Sequence, residues 1–495
     1  MVKIKNFSLL RWISLALFLS AALLFVVELV TFSRMRSGFA LGTEIAGVPV
    51  GGLTLDEASN RLTQAYSVPI EMRYGTSAIQ AKPATLGFQL DLNAMITAAD
   101  QERASSPFWI SFFNYMFNRL PSSQTVPLVA TIDETKLRDF LINEVAARYD
   151  QLAEAYVPIP GSVNFEPGKA GTQLDVDQSV KLVSLALRSP SSRVVNLDIK
   201  KLNSSKPSFT NLKILLQQII DVDGFTGLTE IYVLDLSSGA EMQMAYQQGE
   251  YYTPDIAFSA ESIMKIPVMI SSFRHATKPV SASFTALVEK MIELSDNTAP
   301  DTLMSTLIDP NLGPLGVTED MQALGLKNTF LGGMFYVGAP LISSPTTPAN
   351  SRTDVNTDPD RYSQTTPAEM GSLLNDIYEC AQNGGGALVA VFPGKITQND
   401  CKSMITYLTR NHIGVLLEAG LPEGTQIGHK HGWVTDPTDG LMHTIGDAGL
   451  VYTPGGNYVM VVFIHDTNQI VWDNANRLIA SLSRAVYNYF NLTSQ

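Results

Sequence analysis

The chain has 495 residues, 45% of them hydrophobic, and a formal net charge of −13 from a charged fraction of only 16%. That length is ample for two or three packed domains. An acidic chain with no basic patch beyond its N-terminus argues against nucleic acid as a partner.

At the N-terminus, Lys3, Lys5 and Arg11 precede an apolar run from Trp12 to Val27, which resumes after Glu28 as Leu29–Phe32. The stretch matches the ~20 residues that cross a bilayer. Bases before the run favour an N-terminus inside and the bulk of the chain outside, although Arg34 and Arg36 weaken that bias. Glu28 falls near the far interface, where a carboxylate costs less than at mid-membrane. A cleaved signal peptide is the rival reading, but its nearest small-x-small site, Gly38-Phe39-Ala40, lies well past the run. Residues 1–38 are therefore expected to be a cytoplasmic tail and an uncleaved single-pass anchor. The protein then sits in the cell membrane as a single-pass protein with the half beyond residue 205 extracytoplasmic.

Within residues 39–205, Thr54 precedes Glu57 by three positions, the spacing of a capping box, and Leu55, Ala58, Ser59 and Leu62 follow along one helix face. Pro69–Tyr74 alternates like a strand. Phe108–Phe117 (FWISFFNYMF) is strongly aromatic. It reads as a core helix or as a membrane- or ligand-facing patch, and core packing is favoured because aromatics are most often buried. Leu86–Leu92 (LGFQLDL) is echoed by Ala170–Val176 (AGTQLDV), each before a predicted helix, Asn93–Arg103 and Asp177–Leu187. Asp175 and Asp177 suit a helix start, and Val194–Ile199 reads as a strand. The pieces GVPVGGLTLDEA and VNFEPGKAGTQLDVDQS resemble the peptidoglycan-binding domain found beside VanW-type domains. That resemblance implies a cell-wall location, with Glu166, Lys169 and Asp175 either at a ligand or, as preferred here, in turns and on the surface. Polar Lys201–Pro207 reads as a linker between the halves.

Beyond the linker, Leu212–Ile220 has helical spacing and is broken by Gly224 and Gly227. Glu230–Leu236 and Glu241–Tyr246 read as strands around a Ser237-Ser-Gly239 turn. The chain end mirrors this, with strands at Gly449–Tyr452 and Tyr458–Ile464. A helix over Asn474–Phe490 then carries Ala475, Leu478, Ile479, Leu482, Ala485, Val486 and Tyr489 as its stripe. Helix–strand–strand at one end and strand–strand–helix at the other fit one sheet covered by terminal helices.

Between these ends lies the only Ser-x-x-Lys of the chain, Ser262-Ile-Met-Lys265. On a helix the two side chains share a face, so the amine can take the hydroxyl proton once burial or nearby charge lowers its pKa. Backbone N–H groups in the helix's first turn can help hold an oxyanion. Pro267 removes a bond to Ile263, a cost that is smaller near a helix start and that a local kink would absorb, and it leaves the Ser262–Lys265 pairing in place. Ser295-Asp296-Asn297 follows, and far downstream comes Lys430-His431-Gly432. Each alone has a bland reading: a chance pair, a Ser/Asp helix cap, a strand end. Their order resembles the SxxK, SDN and KTG series of penicillin-binding proteins and class A β-lactamases, as do the stretches SDNTAPDTL, TTPAEM and GTQIGHKHG. The likeness covers about residues 210 to 495.

The resemblance implies roles. Ser262 would be the nucleophile and Lys265 its base, and Ser295 would pass a proton to the leaving nitrogen. Lys430, on an edge strand, would add positive charge for a substrate carboxylate. Asn297 would bond a substrate amide or Lys265. The backbone N–H of Trp433, after Gly432, would form an oxyanion hole with that of Ser262. His431 stands where the family has the Thr or Ser that helps hold the substrate carboxylate, and with Lys430 it would orient that carboxylate, its imidazole donating most strongly when protonated. The deacylating Glu is also absent, since residues 321–368 contain no Glu around Thr365-Thr-Pro367. Asp354, Asp358 and Asp360 match no local pattern, and Glu369 reads as N-terminal charge on a helix. Ser262 and Ser295 are closer in sequence than the family's usual separation, which implies a missing helical section and a more open cleft. The loop Gly332–Gln364 is expected to cover that cleft in part. Cys380 and Cys401 sit where the family has adjacent antiparallel helices, and export would permit a disulfide. His429, His431 and His443 lack the further ligands a metal site needs, so no metal or cofactor is expected.

The expected fold is α+β: a serine β-lactamase-like sheet flanked by helices with an all-helical part (206–495), an N-terminal α+β domain (39–205) and the anchor. The leading function is a serine acyl-transfer hydrolase acting on β-lactams or D-Ala-D-Ala wall peptides and slow to deacylate. The rivals are a catalytically inactive wall-binding or structural protein of the same fold and a β-lactam sensor, the latter unsupported by any signalling segment.

Overall fold

The computed structural model describes residues 6–119, 124–204, 206–436 and 438–492. Lys3 and Lys5, the first two bases before the apolar run, lie outside the described residues, as does Ser205 of the linker. The chain forms two compact units, Met1–Glu154 with Lys169–Asn203 and Ala155–Gly168 with Ser204–Gln495.

In the first unit, helix α1 (Asn6–Arg36) includes the apolar run. From Leu9 to Arg36 it is long and apolar enough to cross a membrane, and its most apolar stretch is exposed to the surroundings. Helix α2 (Leu55–Ser67) starts at the predicted capping box of Thr54 and Glu57, and it buries Ala58, Leu62 and Tyr66. The sequence echo has a structural counterpart. Strand Phe88–Leu90 leads into α3 (Leu92–Ala104), as strand Gly171–Leu174 leads into α5 (Val176–Leu187). Asp91 accepts the Ala94 N–H and Asp175 the Gln178 N–H, so both copies start their helix with the same residue.

Three expectations need correction here. The aromatic helix α4 (Phe108–Met116) is not a core helix, because Phe112 is its one buried residue among the described side chains. Val194–Ile199 is not one strand. Val194–Asn196 pairs with Ile70–Tyr74, whereas Ile199–Leu202 pairs with Gly171–Leu174, and the switch lets Asp198 O accept the Asp175 N–H. Lys201 and Leu202 of the expected linker belong to that second strand.

The second unit is built on a six-stranded antiparallel sheet. Its strands in chain order are β1 (Leu228–Asp235), β2 (Glu241–Gln247), β3 (Glu250–Tyr252), β4 (Gln426–Trp433), β5 (Thr444–Tyr452) and β6 (Tyr458–His465). Their spatial order is β3-β2-β1-β6-β5-β4, so the first and last strands of this sheet in chain order meet at its centre and β4 is an edge. The central β6 is buried along its whole length, which is why it reads as an unbroken apolar run. Helices α6 (Phe209–Asp223) and α12 (Trp472–Phe490) cover one face, and Ala475, Leu478, Ile479, Leu482, Ala485 and Val486 form the buried stripe of α12. The other face packs against α7 (Lys265–His275), α8 (Ala282–Glu293), α9 (Thr298–Leu307), α10 (Pro367–Asn383) and α11 (Gln398–Thr409). A Cys380–Cys401 disulfide joins α10 to α11. Residues 155–168 add the hairpin Val157–Pro158/Phe165–Glu166 to this unit, with Phe165 against Tyr489 of α12. The unit is thus a helix-flanked sheet with an all-helical part, and the first unit is a separate α+β unit.

Candidate active site

Ser262 lies in a 3-10 turn, Glu261–Met264, which passes directly into α7. Because α7 begins at Lys265, Pro267 falls in its first turn, where an amide hydrogen has no intrahelical partner to lose. The expected conflict between Pro267 and the helix does not arise. The 3-10 turn keeps Ser262 and Lys265 in register, and Lys265 Nζ is 2.9 Å from Ser262 Oγ.

The second motif splits in two. Asp296 turns away and accepts the N–H groups of Thr298 and Ala299, capping α9. Ser295 takes a left-handed backbone, φ +55°, and both of its neighbours' functions depend on that turn: Ser295 O, Ser295 Oγ and Asn297 Oδ1 stand 2.7, 3.1 and 2.7 Å from Lys265 Nζ. Ser295 Oγ is also 3.1 Å from Ser262 Oγ. The helix-cap reading thus describes Asp296 alone.

The amine of Lys265 has no exposed surface, and burial lowers its pKa to about 8, against the opposing pull of Asp296 and Asp301. Its amine donates to Ser262 Oγ, Ser295 O, Ser295 Oγ and Asn297 Oδ1; once it loses a proton, Ser295 O and Asn297 Oδ1 can keep its two N–H groups and leave the lone pair for the hydroxyl of Ser262. A buried amine held this way can accept a proton from a serine.

Strand β4 closes the other side. Gly432 has no side chain to spare: a Cβ there would stand 3.0 Å from Ser262 N and 2.9 Å from Glu261 Cβ. The missing side chain lets the edge strand lie against the Ser262 amide. Lys430, two residues earlier on the same face, is buried, and burial followed by the charge of Lys265 lowers its pKa to about 7. Its ammonium donates to His431 O at 3.2 Å. His431 and Trp433 project from the opposite face of β4, where their rings stack at 4.6 Å and Trp433 meets Trp472 at 4.5 Å. His431 is also not protonated in the working range: burial, then Lys430, lowers its pKa to about 3. Its Nδ1 is 3.4 Å from Asn411 Nδ2, so the proton belongs on Nε2.

Sequence reasoning missed the support beneath this strand. His429 is fully buried, with Nδ1 3.0 Å from both oxygens of Asp447 and Nε2 2.9 Å from Asn411 O. Both ring nitrogens face acceptors, so both carry protons. Burial opposes that charge, but Asp447 and Glu418 outweigh it and raise the pKa. A His directly before Lys430 was visible in the sequence; its partners, 18 residues away on either side, were not.

The loop Gly332–Gln364 is tied down by side-chain bonds to the segment before Ser262. Arg352 donates to Thr253 O and Pro254 O, Thr357 Oγ1 to Ala257 O, and the Asp360 N–H to Ser259 Oγ. Phe335 is held by its N–H on Asp301 at 2.7 Å, with its ring 5.5 Å from Lys265 Nζ. Asp354 is paired with Arg352. Glu369, in the first turn of α10, accepts the N–H groups of Lys327 and Asn328. The hydroxyl of Ser262 bonds to Lys265 and Ser295 rather than to a carboxylate. In the first unit, Asp175 caps α5 and pairs with Lys200 at 2.7 Å, and Lys169 lies 3.7 Å from Glu154. Glu166 belongs to the hairpin of the second unit and is exposed.

Residues 272–490 match a family model described as the Beta-lactamase enzyme family. The match begins after Ser262 and Lys265. A curated Bacteroides uniformis protein named Beta-lactamase is 42% identical over 72 residues, which is 14% of this chain and 24% of that protein. The chain thus spans about a quarter of that relative's length. Among solved structures, PBP-A is 22% identical, with 58% of this chain and 98% of that chain covered at a TM-score of 0.40. A class A β-lactamase from Bacteroides cellulosilyticus is 21% identical, with 57% and 99% covered and the same TM-score of 0.40. Over residues 272–490, then, the chain is similar to the Beta-lactamase enzyme family.

Proposed function

We propose that the sheet unit is a serine acyl-transfer hydrolase acting on D-Ala-D-Ala wall peptides or β-lactams through an acyl-enzyme on Ser262. The observation that carries this reading is the buried amine of Lys265, 2.9 Å from Ser262 Oγ and bonded to Ser295 and Asn297. As Ser262 Oγ bonds to the carbonyl carbon, its proton passes to neutral Lys265. The backbone N–H groups of Ser262 and Trp433 hold the oxyanion. When the C–N bond breaks, Lys265 returns the proton through Ser295 Oγ to the leaving nitrogen. Asn297 orients the substrate amide as well as Lys265. Lys430 draws in the substrate carboxylate. His431, neutral and stacked on Trp433, serves that strand more as a wall than as a cation.

Hydrolysis of the acyl-enzyme needs an activated water. The Phe335 ring lies 5.5 Å from Lys265 Nζ, and the Ser262 hydroxyl bonds to Lys265 and Ser295 and, among the described residues, to no carboxylate, which supports slow breakdown of the acyl-enzyme. This favours D,D-peptidase-like or acyl-trapping behaviour over efficient β-lactamase action. Residues 39–205 are read as the wall-binding or spacing portion and α1 as an uncleaved anchor that leaves the catalytic half outside. Gel labelling with a fluorescent penicillin tests the chemistry. A covalent band is expected in the wild type and absent in Ser262→Ala; no band in folded wild type contradicts the reading.

A further inference from the structure

Helix α4 presents an apolar surface that nothing in its own unit covers. Trp109, Ile110, Phe113, Met116 and Phe117 are between 47% and 74% exposed. A contiguous face of that kind on a helix requires an occupant. The opposite side of α4 identifies its surroundings, because it packs along α1. Phe112 meets Phe25 and Phe32, each with ring centroids 5.4 Å apart. Phe108 meets Phe32 at 5.4 Å, and the Arg36 guanidinium lies 5.2 Å from the Phe108 ring. Arg36 also donates to Ser106 O, and Arg103 donates to Arg36 O.

These contacts fix the level of α4 against the span. Phe25 and Phe32 both belong to the apolar run of α1, and Arg36 marks its outer end. The rise from Phe25 to Arg36 is ~16 Å at 1.5 Å per residue, about one leaflet of a hydrocarbon core ~30 Å thick. Phe112 touches both phenylalanines, so side chains at its height that point away from α1 stand at acyl-chain depth. The one acid within the run agrees. Tyr115 Oη donates to Glu28 Oε2 at 2.9 Å. A carboxylate in the outer leaflet is costly without a partner, and α4 supplies one.

We propose that α4 is embedded in the outer leaflet beside α1, with Trp109, Ile110, Phe113, Met116 and Phe117 in contact with phospholipid acyl chains. The N-terminal unit is then held to the bilayer by two helices, and its first ordered elements are fixed at the membrane surface. The proposal rests on the reading of α1 as a membrane span.

The test uses the full-length protein in phosphatidylcholine–phosphatidylglycerol nanodiscs. Cys380 and Cys401 are the chain's two cysteines and are joined, so an introduced thiol takes a spin label selectively. Phe113→Cys and Ile110→Cys report on α4, Leu19→Cys on the span, and Leu185→Cys, on the exposed side of α5, on water. Accessibility to oxygen is compared with accessibility to a water-soluble nickel chelate. The expected result is an oxygen-to-nickel ratio at 113 and 110 that matches position 19 and exceeds position 185. Nickel access at 113 and 110 as high as at 185, with 19 still lipid-like, overturns the embedding of α4 alone. Nickel access at 19 as well overturns the span and the proposal with it. Labels at 113 and 110 that are immobilised and shielded from both agents, or broadened by a label on a second copy, mean that protein covers the face, which also overturns it.

Discussion

Inside the sheet unit, Lys265, Lys430, His429 and Asp447 have no exposed surface, and every one meets a charged or polar partner. In the N-terminal unit the corresponding work is done near water: Thr54 and Glu57 form a capping box, and Asp175 caps α5 while pairing with the exposed Lys200. Arg193 is the partial exception, buried over the Tyr66 ring at 5.3 Å and donating to Ala65 O. The contrast shows where chemistry is available. Desolvation moves a lysine toward neutrality and makes it a base, whereas a solvated pair keeps both charges and contributes little. The sheet unit therefore buries its charged groups, and the N-terminal unit keeps most of the charged groups named here near water.

Substitutions sharpen this contrast. The largest effect is expected from Lys265→Met, which removes the base and lowers the acylation rate by about 10²–10⁴-fold. Lys200→Met, at the solvated pair, leaves acylation and the unfolding midpoint unchanged. Stopped-flow labelling with a chromogenic β-lactam measures the first, and denaturation the second. If both variants acylate alike, the distinction between the units fails.

Asp447→Asn comes next. It leaves His429 buried without its counter-charge, and the stability of the sheet unit falls by about 3 kcal/mol or more. An unchanged denaturant midpoint would mean that His429 is neutral. A smaller effect is expected on the acyl-enzyme itself. Phe335→Glu brings a carboxylate near Lys265 and shortens the adduct lifetime by up to about 100-fold. A lifetime equal to wild type would show that position 335 does not govern deacylation. Thr54→Ala, which removes the cap of α2, is the smallest, costing about 1 kcal/mol in the N-terminal unit with acylation intact.

The pH dependence follows from the same burial. Lys265 must be neutral to accept the Ser262 proton, so acylation rises with pH toward about 8, and because Lys430, lowered to about 7, loses its charge over the same range, the profile is expected to pass through an optimum between about 7 and 8 rather than a plateau. Lys265 and Lys430 are both held below 10.5, so at these two lysines the unfolded chain binds more protons than the folded one between about 7 and 10.5. Glu230 and Glu261, raised to about 8 by burial, bind protons in the folded chain and oppose this below about 8, so the net rise of stability with pH is expected above about 8. His431, lowered to about 3, adds no step near neutrality. Denaturation midpoints at about pH 8.5 and 9.5 check the sign, and a fall with pH would contradict it.

Much of this was legible in advance because it is local. The Ser262–Lys265 spacing, the Thr54 box, the alternating and apolar strands and the α12 stripe are all short-range patterns. The paired ends of the sheet were also visible, because β1, β2, β5 and β6 each carry their own periodicity. What escaped depends on long-range placement. His429 looks the same in sequence whether it is surface or buried; only Asp447 and Asn411, brought in by β5 and the end of α11, make it a cation. The division of Ser295-Asp296-Asn297 into a cap and a lysine clamp hangs on one left-handed residue. The aromatic run of α4 reads as core by composition, and its packing against α1 turns that reading outward. The hairpin of residues 155–168 joins the sheet unit through contacts with α12 that no local pattern announces.

The central claim is that Ser262, activated by a buried neutral lysine, forms a slowly resolved acyl-enzyme. Intact-protein mass spectrometry over time with a β-lactam tests it most directly. One adduct per chain is expected within the first time points. It should persist after excess drug is removed, form more slowly in Lys265→Met and be absent in Ser262→Ala. Rapid Ser262-dependent turnover without a lasting adduct would contradict slow deacylation. No adduct and no hydrolysis of β-lactams or D-Ala-D-Ala peptides would contradict the acyl-enzyme itself.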